Sequence, residues 1–253
     1  MKINGFTLGE VLITIAILGV VSALTIPSFT ANVYNQANAS RLAPIKSELE
    51  NAFGLMLLKE NKDDIYETEF GIASSVSGTK NALEKYTKII NVGNNLVNDF
   101  GYKTISDTSS SVSFLMLPVY AHNIFYVFRM IDGCLLDMGN LIAFSVPSGA
   151  VVLVIPNNDP VNTYTAKRIY IDVNGNKSPN TCGRDVFAFV LGEDGHLYPY
   201  GTEKAAELRG LSNPATQTWD NIDASVINRC VGNNYYGHGC TARLIENNYK
   251  VDY

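Results

Sequence analysis

The chain has 253 residues, enough for one large domain or two modest ones. Its 24 acidic and 19 basic residues leave a net charge of −5, which presents no broad cationic surface to phosphates and excludes coating of nucleic acid by bulk charge. A hydrophobic content of 46% excludes intrinsic disorder and predicts a packed core.

The apolar residues are concentrated first at the N-terminus. From Val11 to Ile26 there is no charge, and Thr14, Ser22 and Thr25 are the only polar side chains. As a helix, Phe6–Ile26 would run about 32 Å, the thickness of a bilayer's hydrocarbon core. Lys2 supplies a positive cytoplasmic end. Three readings fit: a cleaved secretory signal, a plain anchor, or a processed anchor of special type. Glu10 separates them. A carboxylate inside an apolar segment is costly, and a simple signal peptide has no use for it. An anchor that keeps it needs a reason, most naturally a cationic partner; the alternative is a charge close enough to the headgroups to snorkel.

The run Gly5-Phe6-Thr7-Leu8-Gly9-Glu10-Val11, continued through Gly19 to Pro27, resembles the start of type IV pilins and of the pseudopilins of type II secretion. The resemblance covers roughly the first 30 residues. It implies a leader ending at Gly5, cut by a prepilin peptidase that methylates the new N-terminal Phe6. It implies that Glu10 meets the Phe6 amine of a neighbouring subunit inside an apolar bundle. Gly9 departs from the large apolar residue common at its position. Pro27 lacks an amide donor and is expected to kink or loosen the helix, or else to mark the end of the membrane span.

Beyond Pro27, Leu42, Ile45, Leu49, Phe53 and Met56 recur at helical spacing, predicting one helix from about Thr7 to about Lys59. Between 61 and 111 the signals are sparse. Asn81–Asn91 reads as a helix with Leu83, Tyr86, Ile89 and Ile90 on one face, and Thr108–Ser111 as a loop. From Val112 the pattern turns to short β-rich runs: Val112–Leu117, Ile124–Met130, Ala150–Ile155, Lys167–Val173, Asp185–Leu191 and His196–Tyr200. Asp132-Gly133 and Asp194-Gly195 are hairpin signals. The short connections predict an antiparallel meander.

Four cysteines outside the cytoplasmic face predict disulfides, and four allow three pairings. The short Gly/Asn-rich loop between Cys230 and Cys240 favours that pair and leaves Cys134 with Cys182; a C-terminal disulfide loop also resembles many type IV pilins. Zinc has little support, with no C-x-x-C and only His238 nearby. Asp172, Asn174 and Asn176 stand at positions 1, 3 and 5, like the front of a calcium loop, with Asp185 placed to close it. Major pseudopilins resemble this in carrying a calcium site late in the domain. The alternative is a plain Asn-Gly turn. Gly237–Ala242 matches a dinucleotide fingerprint only loosely, and no hydrolase, zinc-protease or phosphate-loop motif occurs. Tyr235-Tyr236 is a candidate adhesive patch.

The expected fold is α+β and pilin-like, a long N-terminal helix packed on an antiparallel sheet. Its parts are a leader (1–5), a transmembrane or filament-core helix (6–27), an amphipathic continuation (28–60) and an extracytoplasmic domain (61–253). The expected function is that of a non-enzymatic subunit of a type II secretion pseudopilus or type IV pilus-like filament. Its expected partners are a prepilin peptidase, other pilin or pseudopilin subunits, the lipid bilayer and, indirectly, an inner-membrane platform and motor ATPase. Calcium is the one candidate cofactor, and no nucleic acid is expected. The alternative is a membrane-tethered extracytoplasmic binding or adhesion module.

Overall fold

The computed structural model describes residues 7–102, 141–155, 166–177, 180–210, 230, 237 and 239–253. Helix α1 spans Leu8–Glu60, 53 residues and about 80 Å. It runs through Pro27 and Pro44 without a break. Asn61 ends it in the left-handed conformation (φ 52°), returning its N–H to the Leu57 carbonyl.

Two environments divide this helix. Every large side chain of its first half faces solvent, with Leu8 77% and Leu24 74% exposed. From Asn38 onward one face is buried, and Leu42, Ile45, Leu49, Phe53 and Met56 are all in the core. That is the stripe expected from the spacing.

After α1 the chain makes a 3-10 turn at Ile65–Glu67 and two short helices, α2 (Glu69–Ile72) and α3 (Val76–Leu83). Asp64, Thr68 and Ser75 each accept a backbone N–H at the start of one of them. The helix expected at Asn81–Asn91 is therefore displaced. Ser75 caps it earlier, it ends by Leu83, and the β-branched pair Ile89-Ile90 leads into strand β1 (Asn91–Gly93), with Ile90 N–H bonded to the Ser145 carbonyl at 2.9 Å.

A short helix α4 (Leu96–Phe100) follows, then strands β2 (Ile142–Ser145), β3 (Val151–Ile155), β4 (Arg168–Asp172), β5 (Val186–Leu191) and β6 (Leu197–Pro199), and helices α5 (Glu203–Leu208) and α6 (Cys240–Glu246). The six strands form one antiparallel sheet in the order β1-β2-β3-β4-β5-β6. The meander is as expected. The four later strands lie within their expected bounds, whereas β1 and β2 carried no clear signal. The expected strands Val112–Leu117 and Ile124–Met130, the turn at Asp132-Gly133 and the Thr108–Ser111 loop lie outside the described residues.

Both faces of the sheet are covered, so β3 and β5 are buried at every position. That explains their unbroken apolar runs, since a strand covered on both sides has no polar face to alternate with. One face, with Phe144, Val152, Ile169, Ile171 and Phe187, packs on the α1 stripe. The other, with Leu153, Tyr170 and Val190, packs on Tyr102, Tyr200 and Ala205. At the β5–β6 turn, Gly195 has φ +77°, and a Cβ there would lie 3.2 Å from the Phe53 Cβ, so the turn closes directly on α1. Buried Lys167 joins α2 to β4, donating to the Phe70 and Ala73 carbonyls at 3.0 Å each. Burial pushes its ammonium down to about 8.

Candidate functional site

Glu10 lies in the first turn of α1, and its partner is local. Glu10 Oε2 accepts from the Thr7 backbone N–H and from the Thr7 hydroxyl, each at 2.8 Å, while Thr7 Oγ1 accepts from the Glu10 N–H at 3.3 Å. This is a reciprocal capping box, which satisfies otherwise orphaned donors at a helix start. The Thr-x-x-Glu spacing that produces it is readable in the sequence. Gly5 and Phe6 lie outside the described residues. The backbone at Pro27 is helical, so α1 continues past it.

One described helix, over Leu8–Ile26, is long and apolar enough to cross a membrane. Nineteen residues at about 1.5 Å each fill about 28 Å, a close match to the hydrocarbon core. A membrane anchor and a signal sequence both have this form.

Of the four residues expected to hold calcium, the fold brings three together. Asp172 and Asp185 are fully buried, at the end of β4 and just before β5, and Asn174 sits between them. Asn174 Nδ2 donates to Asp185 Oδ2 at 3.1 Å and to the Tyr34 hydroxyl of α1 at 2.7 Å. Tyr102 donates to Asp172 Oδ2 at 2.6 Å, and the Asn174 N–H to Asp172 Oδ1 at 3.2 Å. The N–H groups of Asn180 and Thr181 serve Asp185. Asn176 is turned away, donating to the Phe100 and Gly101 carbonyls at 3.0 and 3.3 Å.

The carboxylate oxygens are thus engaged by the protein's own donors, and Asn176 stands apart from the other three expected ligands. The described residues include no group of three or more His, Cys, Asp or Glu suited to a metal. Burial, opposed by these hydrogen bonds, still pushes both carboxyls above their ordinary range, Asp172 most strongly because the Asp185 charge adds to its rise. Among the described residues, three buried amide atoms have no hydrogen-bond partner: Asn174 Oδ1 and both side-chain polar atoms of Asn38, one helical turn beyond Tyr34. The cluster works as a polar seam between α1 and the sheet. Sequence reasoning did not find Tyr34 or Tyr102, because their partners are distant along the chain.

Cys230 and Cys240 are disulfide-bonded, as expected, with Cα atoms 4.6 Å apart. Cys182 is also in a disulfide; its expected partner Cys134 lies outside the described residues. Tyr235, Tyr236 and His238 lie outside them too. The loose dinucleotide match at 237–242 ends in α6, and residues 231–236 before it lie outside the described residues.

A second feature is the C-terminal segment. After α6, Asn248 and Tyr249 take left-handed conformations (φ 51° and 60°) and turn the chain back across α1. Gln36 holds it there from both sides, donating Nε2 to the Tyr249 carbonyl at 2.7 Å and accepting the Val251 N–H at 3.1 Å. Arg243 grips Asp252 in a fork at 2.8 and 3.0 Å, and the Tyr253 hydroxyl donates to the Gly183 carbonyl at 2.7 Å. No family model, curated protein sequence or solved structure matches the chain.

Proposed function

We propose that the chain is a non-enzymatic subunit of a type II secretion pseudopilus or type IV pilus-like filament, processed after Gly5 and assembled through α1. The observation that carries the reading is a single unbroken helix with two lives: Leu8–Ile26 is exposed and uncharged but for Glu10, and Leu42–Met56 is the spine of the domain. A helix built this way rigidly couples a lipid- or bundle-soluble stem to a folded head. The N-terminal motif resemblance adds the processing step. The disulfide at Cys230–Cys240 agrees with a head on the extracytoplasmic side of a single-pass cytoplasmic membrane anchor. Prepilin peptidase, sister subunits and the assembly platform with its motor ATPase are the partners this reading requires.

In such a filament Glu10 would exchange its Thr7 bonds for the Phe6 amine of a neighbour. The test is the mass of the N-terminal peptide of membrane-extracted protein, together with filament yield from Glu10→Gln. A start at Phe6 heavier by one methyl group, with filaments reduced in Glu10→Gln, is expected. An intact Met1, or a cut near Ser22–Ala23, would refute it.

The second reading, a tethered extracytoplasmic binding or adhesion module, is favoured by the capping box itself. Thr7 already satisfies Glu10 within one chain, so an anchor can keep this carboxylate without any neighbour. That reading expects Glu10→Gln to change only the helix start.

A further inference from the structure

Charge is distributed unevenly along the head. At the far end of α1, Glu60, Asp63, Asp64, Glu67 and Glu69 stand against a single cation of that stretch, Lys62. The β5–β6 turn adds Glu193 and Asp194 there, since the Ile65 N–H bonds the Glu193 carbonyl at 2.8 Å. The near end of the head is different. Arg41 and Lys250 are exposed, and neither makes an ion pair among the described residues. Gln36 sets the level of Lys250 by bonding the backbone on both sides of it, and Arg41 follows five residues later on α1. Glu246 and Asp252 are the exposed acids nearby, and Asp252 is gripped by Arg243.

This near end stands at a definite height on the stem. No charged residue occurs between Glu10 and Arg41. As a helix, Val11–Ser40 runs about 45 Å, and a bilayer with its headgroup layers is about 40–45 Å thick. With Glu10 at the inner edge of the hydrocarbon, a core of about 30 Å ends near Thr30. Tyr34 and Gln36, which the head bonds, then stand roughly 6–9 Å farther out, in the outer headgroup layer. The surface changes character accordingly. Phe29 is 70%, Val33 53% and Tyr34 38% exposed, interleaved with the amides Asn32, Asn35 and Gln36. A mixture of aromatic and amide groups suits the membrane interface.

We propose that the near end of the head docks on a bilayer surface of anionic phospholipid headgroups, with Arg41 and Lys250 on the phosphates and Phe29, Val33 and Val251 at the level of the glycerol groups. A net charge of −5 would by itself repel the chain from such a surface. Orientation removes the conflict. Glu60 lies 24 residues beyond Gln36, about 36 Å farther from the bilayer, which is several Debye lengths at physiological salt. The proposal rests on Leu8–Ile26 spanning a membrane, which both readings above share, and adds a lipid class and a head orientation for the membrane-bound chain.

The test uses the full chain in phosphatidylcholine vesicles carrying a trace of spin-labelled phosphatidylglycerol or spin-labelled phosphatidylcholine. The motionally restricted signal of protein-held lipid should favour the phosphatidylglycerol label by about fivefold, the factor for one cation near an anionic surface, and the ratio should fall as salt rises. Arg41→Gln/Lys250→Gln should bring the ratio toward one, and Arg41→Glu/Lys250→Glu should do so at least as fully. Lys59→Gln/Lys62→Gln, the same charge change at the far end, should leave it as in the parent. Resistance to carbonate extraction reads the span separately.

A chain that resists carbonate yet shows no preference, or a preference that survives both Arg41/Lys250 variants, would overturn the docking and leave the span standing. Loss of the preference in the Lys59/Lys62 variant would overturn the orientation. A chain stripped from the vesicles by carbonate would overturn span and docking together.

Discussion

Gln36→Ala offers the sharpest check on how the C-terminal segment is held. The Gln36 amide bonds the backbone on both sides of Lys250, donating to the Tyr249 carbonyl and accepting the Val251 N–H. Truncation removes both bonds and strips the Val251 amide of its acceptor. A neutral hydrogen bond contributes about 0.5–1.5 kcal/mol net. Gln36 is exposed, so water replaces part of this, and about 1 kcal/mol for the pair is the reasonable figure. That corresponds to about a fivefold rise in local opening. The far end should hold, because Arg243 still forks Asp252 and the Tyr253 hydroxyl still reaches Gly183.

Amide hydrogen exchange on the full chain in detergent micelles reads this directly. The Val251 amide should exchange about five times faster, while the amides of α6 should not change. Gln36→Glu keeps an acceptor for Val251 but loses the donor to Tyr249, so it should fall between. Unchanged exchange at Val251 in Gln36→Ala would refute the idea that this side chain fixes the segment.

Other outcomes follow from the core and the polar seam. Phe53→Ala should cost about 3–5 kcal/mol, since Phe53 is 1% exposed and stacks 5.1 Å from the Phe70 ring. A melting temperature lower by roughly 10 °C is expected, and a loss under 2 °C would contradict its place in the core. Asp172 and Asp185 have raised folded-state pKa values, so between the unfolded value near 3.8 and the folded one the native state binds more protons. Stability should therefore rise as pH falls from 7 toward about 4, and Asp172→Asn should flatten that slope; a melting temperature that drops steadily on acidification of the parent would count against the buried pair. Calcium at millimolar concentration should leave the melting temperature unchanged at pH 7, because the carboxylate oxygens already have protein donors. A calcium-dependent rise of several degrees would show that the seam rearranges into a cation site.

Much of this protein was legible along the chain wherever the signal is local. Sixteen uncharged residues following Glu10 announce an apolar stem because bilayer thickness and helix rise set the length. Leu42 to Met56 announce a buried face because a helix repeats every 3.6 residues. Asp194-Gly195 announces a turn because only glycine accepts φ +77° at low cost there. Cys230 and Cys240 were the natural pair because they close a short loop.

What the chain could not declare was decided by contacts between distant residues. Asn91–Gly93 becomes a strand only because Ile142–Ser145 offers it an edge. Asp172, Asn174 and Asn176 share calcium-loop spacing, yet spacing does not say where side chains point. Tyr34, Tyr102 and the Phe100 carbonyl arrive from elsewhere in the chain and turn the three to different partners. The C-terminal segment likewise lies on α1 only because two left-handed residues after α6 send Val251–Tyr253 back across a helix more than 200 positions earlier. Local geometry is written in local sequence, whereas a buried polar partner or the resting place of a terminal segment depends on which surfaces the folded chain brings together.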